Sequence, residues 1–376
     1  MLSRLFISLP QLEDETMKVG IACGGTGGHI FPGLAVAMAL RERHHEVVLW
    51  LAGRDVESVS TAKWDGPVVS IGGKGLPAGV SLRSLPALCS LGAAFLRSWL
   101  RMRKDPPHIM LAMGGYGSVG PVLAARVLKI PVVLHEANAI PGRAVEKLSR
   151  YAAAVAVSFE SAKRYITHHR IVLTGFPVRT EVCSGNQDRI LPAGLFTVLV
   201  VGGSQGAHRL NELASAALCR LHQQGIPVQV IHLSGTVDET VVRKTYGSAG
   251  IPNAVFSFFG EMARAYSQAD IVIARAGAAT CAEIVKCAVP SILIPLPTAM
   301  RDHQMANAMC LKNTGGVEVM AEREISASGL SDFLRECYRN PEKLDRMRES
   351  LKKIPQDNAA GQIAELLEIT FRSVPA

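Results

Sequence analysis

Short apolar runs recur along the first half of the chain at 18–23, 46–51, 68–71, 109–113, 132–135, 153–157 and 171–174, with helix-like spacing of apolar positions between most of them. Runs this short and this continuous predict strands buried on both faces, and their alternation with helices predicts a parallel sheet. A stretch of irregular polarity at 181–193 interrupts the pattern, which resumes at 196–201, 228–233, 255–258, 271–274, 291–294 and 317–320. The fold expected is α/β, with two Rossmann-like, doubly wound parallel-sheet domains facing a cleft. The limits expected are a flexible extension at 1–16, a first domain at 17–180, a linker at 181–195, a second domain at 196–345 and a C-terminal helix at 346–376. Residues 342–371 are charged and helical in pattern, and either close the second domain or cross back to the first.

Each half opens on a glycine-rich turn between an apolar run and a helical pattern, GGTGGH at 24–29 and GGSQGA at 202–207. Glycine lets the backbone come close, and the free N–H groups and dipole of the following helix favour negative charge, so both turns are candidate anion sites. Neither turn reads G-x-G-x-x-G, and no acidic residue closes the 46–52 strand where a dinucleotide ribose would need it. A plain NAD enzyme is disfavoured.

Ligands of doubly wound sheets bind outside the carboxyl ends of the strands, which directs attention to the polar residues that follow each apolar run. Four clusters stand there: Gly114-Gly115-Tyr116-Gly117-Ser118; His135-Glu136-Ala137-Asn138; Arg275 to Thr280 with Glu283 one turn later; and Asp302-His303-Gln304 with Asn307. Singly each is an ordinary turn, and it is their shared position that points to a site.

The chain has 376 residues, 48% hydrophobic, and a formal net charge of +8, enough for two or three well-cored domains and compatible with an anionic partner. Aromatic residues make up only 5% with no basic-aromatic stacking platform, so nucleic acid is not expected. At 84–104 Ser84 caps a helix on which Leu85, Leu88, Phe95, Trp99 and Met102 recur at helical spacing, bordered by Arg97, Arg101, Arg103 and Lys104. Such a helix either lies on an anionic membrane surface or simply faces the core with its cations solvated. No apolar run approaches the roughly 18 residues of a spanning helix. The eight cysteines form no C-x-x-C pair and no metal-ligand cluster, which suits a reducing compartment such as the cytosol. Residues 1–16 make a poor signal peptide, with one Arg4, an acidic Glu13-Asp14-Glu15 and no small-residue cleavage site.

Seven segments, GGTGGHIFPGLAVA, MGGYGS, PVVLHEANAIPG, GFPVR, GGSQGA, RAGAATCAE and RDHQMANA, follow one another in the order found in the MurG family, and the chain resembles that family from Met17 onward. The resemblance implies a GT-B fold and a peripheral enzyme on the cytoplasmic face of the bacterial membrane. It implies transfer of N-acetylglucosamine from UDP-N-acetylglucosamine to the C4 hydroxyl of lipid I, giving lipid II for peptidoglycan synthesis, with other cell-wall synthesis proteins as partners. It assigns Glu283 to the ribose hydroxyls, and Ala278, Ala279, Thr280, Cys281 and Ala282 to a helix N-terminus at the diphosphate. Ser204 would meet the same phosphates, the backbone at Phe259 the uracil, and Gln304 the sugar hydroxyls with His303 close by. Arg179 would anchor the donor near the hinge, while Asn138, Thr26, Gly27 and Gly28 complete the cleft beside Tyr116 and Ser118. The 84–104 segment coincides with the family's membrane-associating region. The chain departs from the family pattern at Val145, Phe176, Ala274 and Gly117-Ser118-Val119-Gly120.

The implied chemistry is inverting glycosyl transfer, which needs a base for the acceptor hydroxyl and stabilisation of the departing diphosphate. His29 and Glu136 are the candidate bases; His29 alternatively caps the helix or binds the acceptor diphosphate. No D-x-D motif provides a metal, so no metal or other cofactor is expected. Two alternatives keep the same donor site: another GT-B UDP-sugar enzyme such as a 2-epimerase, and a non-catalytic nucleotide-sugar-binding subunit.

Overall fold

The computed structural model describes residues 16–25, 27–53, 61, 64–72, 85–178, 188–202, 206–355 and 358–373, with the backbone alone at 85–88. The expected extension at 1–15 and the site candidates Thr26, Arg179 and Ser204 lie outside the described residues, as does the side chain of Leu88.

In the first half, β1 (Lys18–Ala22), α1 (Gly27–Glu42), β2 (Glu46–Leu51) and β3 (Val68–Ser70) precede α2 (Leu85–Lys104). There follow β4 (Ile109–Ala112), α3 (Val119–Val127), β5 (Val132–Glu136), α4 (Arg143–Leu148), β6 (Ala154–Val157) and β7 (Ile171–Leu173). The seven strands lie side by side as β3-β2-β1-β4-β5-β6-β7, all parallel. Central strands are buried at every position, as β4 and β6 illustrate, because helices cover both faces of the sheet.

The second half repeats the plan with β8 (Phe196–Val201), α5 (His208–Gln223), β9 (Val228–Leu233), α6 (Glu239–Ser248), β10 (Asn253–Phe256), α7 (Met262–Gln268) and β11 (Ile271–Ala274). It continues through α8 (Ala278–Cys287), β12 (Ser291–Leu293), α9 (His303–Lys312), β13 (Val317–Val319), α10 (Ala327–Arg339), α11 (Pro341–Lys352) and α12 (Ala359–Arg372). Its six strands run β10-β9-β8-β11-β12-β13. One strand is displaced from its sequence expectation: β10 ends at Phe256, where its partner β9 ends at Leu233. Beyond that pairing, Phe258 is exposed and Phe259 turns its ring back onto Phe256.

The last two helices part company. Leu344 and Met347 of α11 pack into the second core, whereas Ile363, Ala364, Leu366 and Leu367 of α12 are buried in the first. Helix α12 lies against α1, and Glu368 accepts hydrogen bonds from Arg43 at 3.0 Å and meets His45 at 3.0 Å. Phe371 stacks on His108 with ring centroids 5.4 Å apart. The crossing therefore begins after α11, which runs through the 345/346 boundary expected from charge pattern.

In the first sheet strand order reverses between β1 and β4, and in the second between β8 and β11. The loops leaving those four strands are GGTGGH, GGYGS, GGSQGA and RAGAAT. The crevice at such a switch point is where an α/β sheet leaves room for a ligand.

Candidate active site

On the first domain, the β1 and β4 loops meet at His29. Its half-buried ring lies over Gly115, where a Cβ would come within 2.8 Å of the imidazole and where φ is +70°, so both space and backbone call for glycine. Burial lowers the pKa of His29 to about 4, which leaves the imidazole neutral at pH 7. Behind it, His135 at the end of β5 is fully buried, with Nε2 3.2 Å from the Ser158 hydroxyl. Its pKa is also about 4, lowered first by burial and further by His29, against a bond to the Gly175 carbonyl.

Glu136 is buried beside it, and its oxygens serve the loop that follows. Oε1 accepts from the backbone N–H of Asn138 at 2.9 Å and its Nδ2 at 3.1 Å; Oε2 accepts from the N–H of Gly142 at 2.9 Å. Burial raises its pKa, and the loop N–H groups pull the other way. In the neighbouring turn Ser118 is buried and donates to the Gly115 carbonyl at 2.9 Å, fixing the loop from within. The hydroxyl of half-buried Tyr116 is buried without a hydrogen-bond partner among the described residues.

On the second domain, α8 begins at Ala278, so the N–H groups of Ala278, Ala279 and Thr280 form its open first turn, with Cys281 buried and Ala282 half-buried behind them. Gly206, the fifth residue of the GGSQGA turn, has φ +76° and no room for a Cβ, which would sit 2.6 Å from the Ser234 carbonyl. Glu283 stands one turn into α8 and accepts a 3.0 Å bond from the Tyr266 hydroxyl. Gln304, in the first turn of α9, accepts from the N–H of Leu296 at 2.9 Å, and His303 bonds the Met300 carbonyl at 2.8 Å. Phe259 is half-buried and packs on Phe256 at 4.6 Å. Arg275 is buried; it pairs with Glu322 and donates to the Ile294 carbonyl at 3.1 Å, bracing the loop that leads to Gln304.

The two sets meet across the cleft through Asn307, which is fully buried. Its Nδ2 donates to Asn138 Oδ1 and to the Ala276 carbonyl, both at 3.1 Å, and its Oδ1 accepts from the Ala139 N–H at 2.8 Å. Helices α1 and α8 approach each other across the two domains. The sequence grouped Asn307 with Gln304 without a role, and it gave no sign of Tyr266, whose spacing from Glu283 is legible only once α7 and α8 pack. Among the described residues no three His, Cys, Asp or Glu side chains converge as metal ligands.

Helix α2 follows the core-facing reading of its stripe, and Phe95 and Trp99 do not form the membrane-facing surface that the family resemblance implied. Met102 is fully buried, and Phe95 and Trp99 pack against the same core as Trp50 and Met110. The small residues Ala94 and Ser98, both buried, let α2 cross α3 closely, and that contact sets the rotation of the helix. The outward face instead carries Leu96 and Leu100, 51% and 53% exposed, a pair one turn apart that the stripe reading passed over. Around them stand Arg97, Arg101, Arg103 and Lys104, all exposed. Arg97 donates to the Ile71 carbonyl at 3.1 Å, Arg101 pairs with Asp105 at 3.7 Å, and Arg103 covers the Trp99 ring at 5.3 Å. Among the described residues no helix is long and apolar enough to cross a membrane.

Comparison with known proteins agrees with this arrangement. The N-terminal domain of glycosyltransferase family 28 matches residues 19–157 and its C-terminal domain residues 197–365. The UDP-N-acetylglucosamine–N-acetylmuramyl-(pentapeptide) pyrophosphoryl-undecaprenol N-acetylglucosamine transferase of Myxococcus xanthus is 36% identical over 352 residues, covering 93% of this chain and 92% of that protein. The same-named transferase of Halorhodospira halophila is 38% identical over 361 residues, covering 93% and 97%. The crystal structure of Acinetobacter baumannii MurG superposes with a TM-score of 0.74 at 28% identity, covering 94% of this chain and 99% of that one. With both family domains matched in order on two sheets of GT-B type and relatives alike over nearly the full length, the chain belongs to glycosyltransferase family 28, among its MurG members.

Proposed function

We propose that this chain transfers N-acetylglucosamine from UDP-N-acetylglucosamine to the C4 hydroxyl of the N-acetylmuramyl sugar of lipid I, with inversion, to give lipid II. The observation that carries the reading is the near full-length likeness to transferases of that name. The same identity favours transfer over an epimerase or a binding subunit on this fold.

In this reading the second domain, which runs from 196 through α11, holds the donor. Glu283, oriented by Tyr266, takes the ribose hydroxyls, and Gln304 takes the sugar hydroxyls. The open first turn of α8 receives the diphosphate, and its N–H groups and dipole stabilise the charge that builds as UDP departs. The first domain, 17–180, holds the acceptor. His29 takes the proton of the attacking hydroxyl: its imidazole is neutral at pH 7 and stands in the first turn of α1. Glu136 serves another purpose, since Asn138 and Gly142 occupy its oxygens and it holds the loop that brings Asn138 into the cleft.

The lipid acceptor calls for a membrane surface within reach of the first domain. The exposed Leu96 and Leu100, ringed by Arg97, Arg101, Arg103 and Lys104, suit shallow binding to anionic lipid at the cytoplasmic leaflet. The measurement that tests the function is UDP release from UDP-N-acetylglucosamine, with and without a lipid I analogue, in EDTA. Acceptor-dependent release with a disaccharide-lipid product is expected. UDP binding without acceptor-dependent release would move the chain to another UDP-sugar function.

A further inference from the structure

Arg301 has no part in the site as assigned, yet it occupies an unusual place. Arg301 and Asp302 are consecutive non-glycine residues in the left-handed region, with φ 56° and 54°, immediately before α9. L side chains rarely adopt this conformation, and two in succession persist only where surrounding contacts hold them. One such contact comes from the other domain. The Arg301 guanidinium reaches across the cleft to the carboxylate of Glu146 on α4 and to the Pro141 carbonyl at 3.4 Å. Both acceptors belong to the loop and helix that follow Glu136, the segment that also carries Asn138.

The turn held in this way is the one that starts α9, so it sets where Gln304 stands. We propose that Arg301 is a positioning residue whose clasp on Glu146 and Pro141 fixes the left-handed turn and thereby places Gln304 for the donor sugar when the two domains are closed. The proposal rests on the donor reading above and adds to it a coupling between domain closure and recognition of the sugar. When the cleft opens, Arg301 loses both acceptors together and the turn loses its first-domain support. Glu146 lies outside the assigned donor site, so recovery by the exchanged pair is what traces an effect of Glu146 on donor use to Arg301.

The test compares KM and kcat for UDP-N-acetylglucosamine, and affinity for UDP by calorimetry, in the wild type, Arg301→Ala, Glu146→Ala and the exchange Arg301→Glu with Glu146→Arg. Each alanine variant is expected to raise KM about twofold to fivefold, the range of an exposed ion pair, with little change in kcat. Affinity for UDP, which lacks the sugar, should stay within about twofold in both, and the exchange should recover most of the loss. Added salt should shrink the difference between wild type and Arg301→Ala, because an exposed pair is screened. An unchanged KM in Glu146→Ala, or an exchange no better than the single variants while thermal melting shows all of them folded, would overturn the clasp. A wild type that binds no UDP would instead overturn the donor assignment.

Discussion

The two domains share one plan and equip it differently. At the carboxyl ends of its strands the first domain carries ionisable groups perturbed by burial, with His29 and His135 both held near pKa 4 and Glu136 pushed up. At the same ends of its strands the second domain carries backbone N–H groups at the start of α8 and side chains that accept from neutral donors, Glu283 from Tyr266 and Gln304 from the Leu296 N–H. A proton acceptor needs a tuned environment, whereas a nucleotide needs a fixed array of donors and acceptors. In the proposed reading the same βαβ framework supports proton transfer on one side and recognition on the other, and the division can be tested from both sides.

The largest effect expected is on the first side. His29→Ala should lower kcat by about 10² to 10⁴-fold, the usual contribution of a general base, while UDP affinity by calorimetry stays unchanged. A parallel loss of UDP affinity would place His29 in donor binding and erase the contrast. On the second side, Glu283→Ala should weaken UDP by about 10 to 100-fold, as for hydrogen bonds to a charged acceptor, with the melting temperature little changed. Unchanged affinity would remove the ribose from Glu283.

The desolvated histidines also have a thermodynamic signature. His29 and His135 at about 4, with His232 at about 3 between Tyr246 and Asn211, lie below the ordinary value of 6.5. The unfolded chain binds these protons first, so stability is full above pH 6.5 and falls as pH drops toward 4. Each histidine adds up to about 1.4 kcal/mol per pH unit to that slope. Thermal melting between pH 7 and pH 5 should show a steady fall, and a flat profile would mean the imidazoles are hydrated. The smallest effect concerns the outward face of α2. Replacing Leu96 and Leu100 together by Asp should reduce binding to anionic vesicles by about fivefold to tenfold, less than full burial of two leucines would give, with turnover on a water-soluble acceptor retained. Equal losses in both assays would point to misfolding of α2.

Much of this molecule is legible in its pattern of apolar residues. Continuous apolar runs such as those of β4 and β11 mark strands covered on both faces, and glycine turns after β1 and β8 mark candidate anion sites, because these readings rest on local burial and backbone geometry. The polar clusters that close those strands name the site for the same reason, since topology puts all carboxyl ends of a parallel sheet on one edge. Side-chain partnership was not legible. Charge pattern left α12 undecided between two domains, and only the fit of Ile363 and Leu367 against α1, with Glu368 on Arg43 and His45, settles it. Periodicity found an amphipathic α2 but left open whether its Phe95, Trp99 and Met102 face meets a membrane or the core, because rotation about the helix axis depends on what packs at Ala94 and Ser98. The sequence offered His29 first and Glu136 second as candidate bases, and it gave no sign that the N–H groups of Asn138 and Gly142 lie on the Glu136 carboxylate. The sequence by itself determined which segments become strands and which loops gather at the cleft, as these depend on neighbours along the chain. Tertiary structure alone decided which groups are desolvated, which are already bonded, and which bridge the domains, as these depend on how segments pack in space, across 169 residues in the case of Asn138 and Asn307.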